Sequence, residues 1–168
     1  MPKIIKNREI FEDSWQVWRD TENLPSQGRV IVSLKLWQEH KAALAALGEV
    51  GVFLCNESPK ALSEDLSELA LIAVDFPVFS DGRGFSYARE LREQLGYTGE
   101  LRAIGGFIRD QLCYLARVGF NAFALENEVL EEAIVSLDDF TEFYQASPNA
   151  PQPLYLRRSL AIAQDQAA

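Results

Sequence analysis

The chain has 168 residues, of which 48% are hydrophobic and 24% charged, with a formal net charge of −9. This composition is ordinary for one folded domain with a buried core, and the acidic charge disfavours nonspecific binding to nucleic acid or anionic lipid. No apolar run approaches the roughly 18 residues that span a bilayer, and the first residues lack the pattern of a secretory signal, so we expect a cytoplasmic protein.

The first 50 residues predict two strands and one helix. WQVW at 15–18 alternates apolar and polar residues and indicates a short strand, and DTENLPSQG is typical of a turn. VIVSLKLW predicts a strand that gives way to a helix, and WQEHKAALAALG predicts a helix that stops at Gly48. The pattern leaves open whether residues 1–30 join the main sheet.

From residue 50 apolar runs alternate with amphipathic segments. The runs are GVFLC (51–55), LALIAVDF (69–76), ELRAIGG (100–106) and NAFALE (121–126), and the helical segments are ALSEDLSEL, FSYARELREQLG and FIRDQLCYLARVG. Continuous apolar runs between helices are typical of buried parallel strands. We predict an α/β fold with a mostly parallel sheet of consecutive βα units. The sheet is either open or a half-barrel resembling a TIM-barrel fragment, because a closed eight-stranded barrel needs ~200 residues or more.

The C-terminal region completes a single predicted domain over residues 1–158. EVLEEAIVSLDDFTEFYQ predicts an acidic helix, SPNAPQPLYLRRS with its three prolines predicts an extended segment, and residues 159–168 predict a flexible tail. An open sheet leaves an edge or a face uncovered, so we expect a homodimer in which the acidic C-terminal helices pack against a second copy.

The two cysteines and the single histidine predict neither a metal site nor a disulfide. Cys55 ends an apolar run and Cys113 lies in a predicted helix, and a reducing compartment keeps such thiols free. The sequence contains no C-x-x-C pair, and His40 has no cysteine or second histidine near it in the sequence.

Parallel strands end at the same edge of a sheet, where ligands bind in α/β proteins. Three predicted loops meet there: 75–86, 105–110 and 126–129. They are expected to bring the following polar side chains together: Asp75, Asp81, Arg83, Arg109, Asp110, Gln111 and Glu126.

Free N–H groups before a helix attract anions, and an arginine adds charge-assisted hydrogen bonds. Ser86 is predicted to cap the helix that follows the glycine pair. The candidate anion- or substrate-binding residues are Gly82, Arg83, Gly84, Ser86, Arg102, Gly105 and Gln111. Asp81 and Asp110 are the candidate acid–base catalysts. Ordinary turn chemistry explains the glycines equally well, so this alternative stays open.

Arg102 interrupts an apolar strand, where an unpaired charge is costly. We therefore predict either a structural ion pair, with Asp75 or Asp110, or a contact with substrate. Asp110 lies in a first helical turn, where the helix dipole favours an acid without any functional need.

The block FPVFSDGRGFSYARELREQLGYTGELRAIGGFIRDQLCYLARVGFNAF resembles the signature of an uncharacterised bacterial family. Genes of this family accompany those of assimilatory sulfite reductase, and its members are often described as oxidoreductases of sulfite reduction. The matching positions are Asp81–Arg83, Ser86, Arg89, Arg92, Gly99–Ala103, Asp110 and Gln111. One position departs from the pattern, because Gly106 stands where the family usually has an aspartate.

The resemblance implies an accessory protein of sulfate or sulfite reduction. It would act with sulfite reductase or another sulfur-assimilation protein, or on an anionic sulfur metabolite. Two alternatives stay open: an acid–base enzyme that binds a phosphate- or sulfate-like substrate at the strand ends, and an oxidoreductase in its own right. The chain carries no dinucleotide fingerprint, iron–sulfur cysteine set or haem ligand pair, so the sequence names no cofactor.

Overall fold

The computed structural model describes residues 2–20, 23–26, 28–126 and 129–165. The strands are β1 (Lys3–Lys6), β2 (Glu9–Glu12), β3 (Gln16–Val17), β4 (Val30–Ser33), β5 (Val50–Leu54), β6 (Leu71–Phe76), β7 (Glu100–Gly105) and β8 (Ala122–Phe123). The α-helices of these ranges are α1 (Leu34–Ala45), α2 (Arg83–Arg89), α3 (Leu112–Val118), α4 (Leu130–Ala133) and α5 (Leu154–Asp165).

All eight strands belong to one sheet, in the order β2-β1-β8-β7-β6-β5-β4-β3. Each pair from β3 to β8 is parallel, whereas β1 runs antiparallel to both β2 and β8. The sheet is curled and open, which confirms the predicted α/β half-barrel in a single domain. The N-terminal hairpin β1–β2 joins this sheet beside β8, a question that the sequence pattern left open.

The two faces of the sheet have different coverings. Helices α1 to α4 cover one face, and Ile72, Val74 and Phe76 of β6 point into that core. The other face, here called the open face, carries a smaller cluster that includes Leu71 and Ala73. Because β6 is buried on both faces, all six of its residues are apolar or paired, and its sequence reads as a continuous run.

The segment ALSEDLSEL is not the predicted α-helix. Only its first two residues are helical, at the end of a 3₁₀ turn over Pro59–Leu62 that the Ser58 side chain caps, and the rest of the segment continues in short turns. The serines and acids in this segment compete with the backbone for hydrogen bonds, so they favour turns over a regular helix.

The C-terminal region also differs from its prediction. The acidic helix is short, since α4 passes into a 3₁₀ helix over Ile134–Asp138. The proline-rich segment is not extended throughout, because α5 begins at Leu154 directly after Pro153. Proline is tolerated before a helix, where its missing N–H has no helical partner to lose. The predicted tail is helical as far as Asp165; its last three residues lie outside the described ranges, and its flexibility stays a prediction.

Cys55 and Cys113 are both free thiols. No helix of the described ranges combines the length and the apolar character needed to cross a lipid bilayer.

Candidate functional site at the C-terminal rim

The C-terminal ends of the parallel strands form one rim, and two of its loops are joined by a side chain. Gln111 donates from Nε2 to the carbonyl of Phe79 over 2.9 Å, and its Oε1 accepts from the N–H of Ile108 over 3.1 Å. Gln111 therefore ties the loop after β7 to the loop after β6. The Asp110 side chain does not take part in this junction, since it is 75% exposed and its one ion pair among the described residues is with Arg109 at 3.6 Å.

Asp75 lies near the C-terminal end of β6, on the open face. Arg19, which follows β3, donates from Nη1 to Oδ2 over 2.6 Å and from Nη2 to Oδ1 over 3.2 Å. The Arg19 guanidinium also lies over the Phe53 ring, 5.7 Å from its centroid. The Asp75 side chain is 9% exposed and the Arg19 side chain 57% exposed, so a buried carboxylate fixes an accessible guanidinium.

Gly105 keeps Asp75 in this position. Its φ of 85° is a conformation that side chains other than glycine rarely adopt. A Cβ at Gly105 would also overlap Asp75 Oδ1 and would lie 2.5 Å from the carbonyl oxygen of Phe76. The glycine is therefore required by the close approach of β7 to β6, a role that differs from the predicted ligand contact.

Asp81 and Arg83 form a second carboxylate–guanidinium pair within the loop after β6. Arg83 donates from Nε to both carboxylate oxygens, at 3.0 and 3.2 Å, and from Nη2 to Oδ2 at 2.5 Å. These bonds, together with one from the Arg83 backbone N–H, lower the pKa of Asp81 to about 2. An aspartate that stays ionised at neutral pH orients Arg83, and this state does not suit the predicted acid–base role.

Cys55, at the end of β5, lies within electrostatic range of both pairs. Burial raises the pKa of its thiol, the carboxylates of Asp75, Glu57 and Asp81 raise it further, and Arg83 lowers it. The thiol therefore stays protonated at neutral pH, which disfavours thiolate chemistry.

The hydrogen bond to Asp75 raises the pKa of Arg19, and the charge of Glu126, which follows β8, raises it further. Of the predicted residues, Asp75, Asp81 and Arg83 therefore lie within electrostatic range of Cys55, and Glu126 lies within electrostatic range of Arg19. In the described ranges, no three His, Cys, Asp or Glu side chains are grouped so as to hold a metal ion.

The start of α2 differs from its prediction. The helix begins at Arg83 with Gly82 as its N-cap, and Ser86 lies inside the helix with its side chain exposed, so the predicted Ser86 cap is wrong. Asp81 explains the earlier start, because its Oδ1 accepts from the Arg83 N–H over 3.1 Å. Gly84 is buried against Phe76, whose ring leaves no space for a Cβ, and so it serves the packing of helix on strand.

Arg102 lies at the other end of the sheet. Its guanidinium donates to Asp13 over 2.9 Å and to Glu100 over 2.8 Å, and Lys6 lies 2.6 Å from the second Glu100 oxygen. An ion pair is therefore present, but the predicted partners Asp75 and Asp110 are wrong. We call these four residues the N-terminal network; they line a cavity of about 280 Å³ at the N-terminal rim.

Sequence reasoning missed Arg19 and Cys55 as members of the rim group. Arg19 could have been found from its position, because it lies two residues after Val17, at the end of the predicted strand β3. Since β3 is parallel to β4, its C-terminal end lies at the same rim. Cys55 was interpreted only as a buried thiol, although it directly follows a strand of the same sheet.

Comparison with known proteins agrees with the family resemblance of the sequence. No curated protein matches the chain. The family described as "Bacterial protein of unknown function" (DUF934) matches residues 51–155, which is more than half of the chain and includes Cys55, Asp75 and the Asp81–Arg83 pair. The chain therefore belongs to this bacterial family.

Proposed function

We propose that this protein is a cytoplasmic accessory protein of assimilatory sulfite reduction and that it binds a small anionic sulfur compound at the C-terminal rim. The observation that carries the proposal is the orientation of two arginines. Arg19 and Arg83 are 57% and 53% exposed, while their partners Asp75 and Asp81 are 9% and 14% exposed. The part of each pair that faces solvent is therefore positive.

Each guanidinium keeps a donor for a ligand. Arg83 uses Nε and Nη2 for Asp81, and Arg19 uses Nη1 and Nη2 for Asp75. Arg83 Nη1 and Arg19 Nε have no hydrogen-bond partner within the described ranges. A planar guanidinium whose rotamer is already fixed loses little entropy when it binds the oxygens of an oxyanion.

The sulfur chemistry of the ligand is supported by the family resemblance, whose genes accompany those of sulfite reductase. The geometry itself supports the wider class of small oxyanions, which includes sulfite, sulfate and phosphate. Sulfite reductase, or another protein of the same pathway, is the proposed partner that receives or supplies the compound.

Asp75 favours an acid–base enzyme as the second candidate, because it is a buried carboxylate at the C-terminal end of a central strand. An oxidoreductase activity stays a prediction. An absorbance spectrum of the purified protein and thermal shifts with nicotinamide and flavin cofactors test it.

Calorimetric titration with sulfite under anaerobic conditions, and with sulfate and phosphate, tests the proposed binding. We expect binding that weakens at least ~10-fold in Arg83→Gln and in Arg19→Gln, since each removes a charge-assisted hydrogen bond. Arg89→Gln is the matched control, because Arg89, the last residue of α2, is also exposed and is paired with the carboxylate of Glu93. No binding by the wild type, or equal loss in the control, would contradict the proposal.

The pathway assignment needs a separate test. A deletion strain is expected to grow poorly with sulfate as its sulfur source and normally with cysteine. Plasmids that carry the wild-type gene or the Arg83→Gln variant then show whether each form restores growth on sulfate. Normal growth of the deletion strain on sulfate would remove the link to sulfite reduction while leaving the binding result intact.

A further inference from the structure

Arg92 is a partly buried cation that forms no ion pair with any residue of the described ranges. It lies in a π-helical turn over Glu90–Gln94 that continues α2, a rare conformation that occurs often at functional sites. Arg102, the more deeply buried arginine, pairs with both Asp13 and Glu100. Because a buried cation is costly unless an anion compensates it, Arg92 lacks the charge that the chain supplies to Arg102.

The protein itself fixes the Arg92 guanidinium. Nε donates to the Gly119 carbonyl over 2.9 Å, and Nη1 donates to the carbonyls of Tyr97 and Gly99 over 2.6 and 3.0 Å. The guanidinium carbon also lies 5.5 Å from the centroid of the Tyr97 ring. These contacts hold the guanidinium in one orientation, but carbonyl groups are neutral, so its positive charge stays uncompensated. Burial accordingly lowers the pKa of Arg92.

The remaining nitrogen of Arg92 reaches a solvent-filled cavity. Nη2 has no hydrogen-bond partner in the described ranges. It is not fully buried either, since Arg157 Nε is the one unpartnered buried atom among the partly exposed and buried side chains of these ranges. Arg92 lines a cavity of about 730 Å³ whose residues Thr98 and Asn121 precede β7 and β8. The cavity therefore lies at the opposite end of these strands from the C-terminal rim.

Two asparagines add hydrogen-bond donors to the same cavity. Asn121 Oδ1 accepts from the Leu101 N–H over 2.7 Å. Asn149 Oδ1 accepts from the Ser147 hydroxyl, also over 2.7 Å. These bonds orient both side-chain amides, and each amide keeps an Nδ2 group that has no partner in the described part of the chain. Together with Arg92 Nη2, the cavity therefore offers three donor groups to a ligand.

The charges of the cavity favour a ligand with a single negative charge. Glu93 carries the one carboxylate among the lining residues, and Arg89 already pairs with it over 2.7 Å. One uncompensated guanidinium remains, and the three carbonyl oxygens beside it disfavour a dianion such as sulfate or phosphate. A carboxylate matches this charge, and its two oxygens accept well from guanidinium and amide donors.

The rest of the cavity suits an apolar body. The apolar lining residues include Tyr97, Ala116, Phe120, Pro148 and Pro151. The volume of about 730 Å³ falls in the range of small-molecule sites and far exceeds that of an inorganic oxyanion. We propose that this cavity binds an organic monocarboxylate, whose carboxylate lies on Arg92 and whose apolar part contacts these side chains. The site is separate from the oxyanion site of the C-terminal rim and does not depend on it.

NMR titration of the full isotope-labelled chain with benzoate tests the site. We expect saturable shifts of the backbone N–H signals of Gly99, Gly119, Asn121 and Asn149. Benzamide, which has the same ring without the charge, is expected to bind at least ~10-fold more weakly. The absence of saturable binding, shifts confined to the C-terminal rim, or equal binding of benzamide would overturn the proposal.

Variants of the donors test the assignment further. Asn121→Asp keeps the oxygen that accepts from the Leu101 N–H and replaces the free donor by a negative charge. We expect this variant to fold and to bind benzoate at least ~10-fold more weakly, as does Arg92→Gln. Asn56→Asp is the matched control, because it adds the same charge at an exposed position after β5, and it is expected to leave binding unchanged.

The Asn121→Asp variant keeps the test decisive if Arg92→Gln does not fold. Unchanged benzoate affinity in Asn121→Asp, with a native spectrum, would overturn the proposal. Arg83→Gln is expected to retain full benzoate binding, because Arg83 lies at the other rim. The failure of this site and the failure of the proposed oxyanion site are therefore distinguishable.

Discussion

The two ends of the half-barrel use the same residue types for different purposes. At the N-terminal rim Arg102 is 2% exposed, and its partners Asp13 and Glu100 are 10% and 8% exposed. At the C-terminal rim the carboxylates are similarly protected, but Arg19 and Arg83 are more than half exposed. The exposure of the cation, rather than the presence of a salt bridge, therefore separates a structural charge from one that is available to a ligand.

The reason is the cost of desolvation. A fully buried guanidinium must have its donors satisfied by the protein, and Arg102 donates to Asp13 and Glu100 from all three nitrogens. A half-exposed guanidinium satisfies its remaining donors with water, which an oxyanion can replace.

The largest effect is expected from a substitution that breaks the N-terminal network. Arg102→Met leaves Asp13 and Glu100 buried without their main cation, and we expect the free energy of unfolding to fall by about 3–5 kcal/mol. Urea denaturation measures it, with Arg83→Met as the control at the exposed rim, where a much smaller change is expected. Equal losses for the two variants would show that the rims do not differ in this way.

The next largest effect is a difference in stability between substitutions at two adjacent glycines of the C-terminal rim. Gly105→Ala is expected to destabilise the protein by about 1–3 kcal/mol, since alanine must adopt a positive φ and displace Asp75. Gly106 has a negative or extended φ, and a Cβ at this position would lie no closer than 3.3 Å to any neighbouring atom. For Gly106→Ala we therefore expect a clearly smaller loss of stability. For Gly106→Asp, which introduces the aspartate that the family resemblance leads us to expect at this position, we predict folding with only a small shift of the neighbouring residues. Denaturation curves of the three variants check the order.

A smaller effect concerns the pH dependence of the Asp81–Arg83 pair. The pKa of Asp81 is lowered to about 2, so the pair contributes stability above the unfolded pKa near ~3.9 and loses it as the pH falls toward 2. In Arg83→Gln the pKa of Asp81 should return toward ~3.9. Carbon-detected NMR titration of the carboxyl measures both values. An unchanged pKa in the variant would show that Arg83 does not set it.

The smallest effect tests whether Cys55 lies beside the same arginine. Arg83 lowers the pKa of the thiol, so Arg83→Gln is expected to raise it, while Arg89→Gln leaves it unchanged. The pH dependence of alkylation by iodoacetamide measures the thiol pKa, and Cys113→Ala removes the second thiol. A thiol that responds equally to both variants would contradict the convergence of the loops after β5 and β6.

The fold and part of the rim follow from local sequence patterns. Strands β5, β6 and β7 are continuous apolar runs, because both faces of the sheet are covered there, and their parallel order places the loops of Asp75 and Arg83 at one edge. The sequence also indicates that Gly84 and Gly105 matter, but not why glycine is needed there. Gly84 leaves space for the ring of Phe76, and Gly105 leaves space for the Asp75 carboxylate. Such reasons depend on tertiary contacts that no local pattern contains.

The pairing of charges required the structure. The apolar strand around Arg102 shows from sequence alone that this charge needs a partner. Its partner Asp13, however, is 89 residues away in the sequence and is positioned by the β1–β2 hairpin. Arg19 and Asp75 are likewise separated by 56 residues. A sequence pattern shows that a buried charge needs a partner, whereas the packing of the sheet decides which one it receives.

Oxyanion binding by the two exposed arginines is tested directly by a crystal structure of the protein, with crystals grown anaerobically with sulfite and data recorded at a wavelength that reveals the anomalous signal of sulfur. We expect an oxyanion held by Arg19 and Arg83 in the wild type and none in Arg83→Gln crystals grown under the same conditions. An oxyanion bound in the cavity beside Arg102, or no oxyanion at the C-terminal rim, would contradict it.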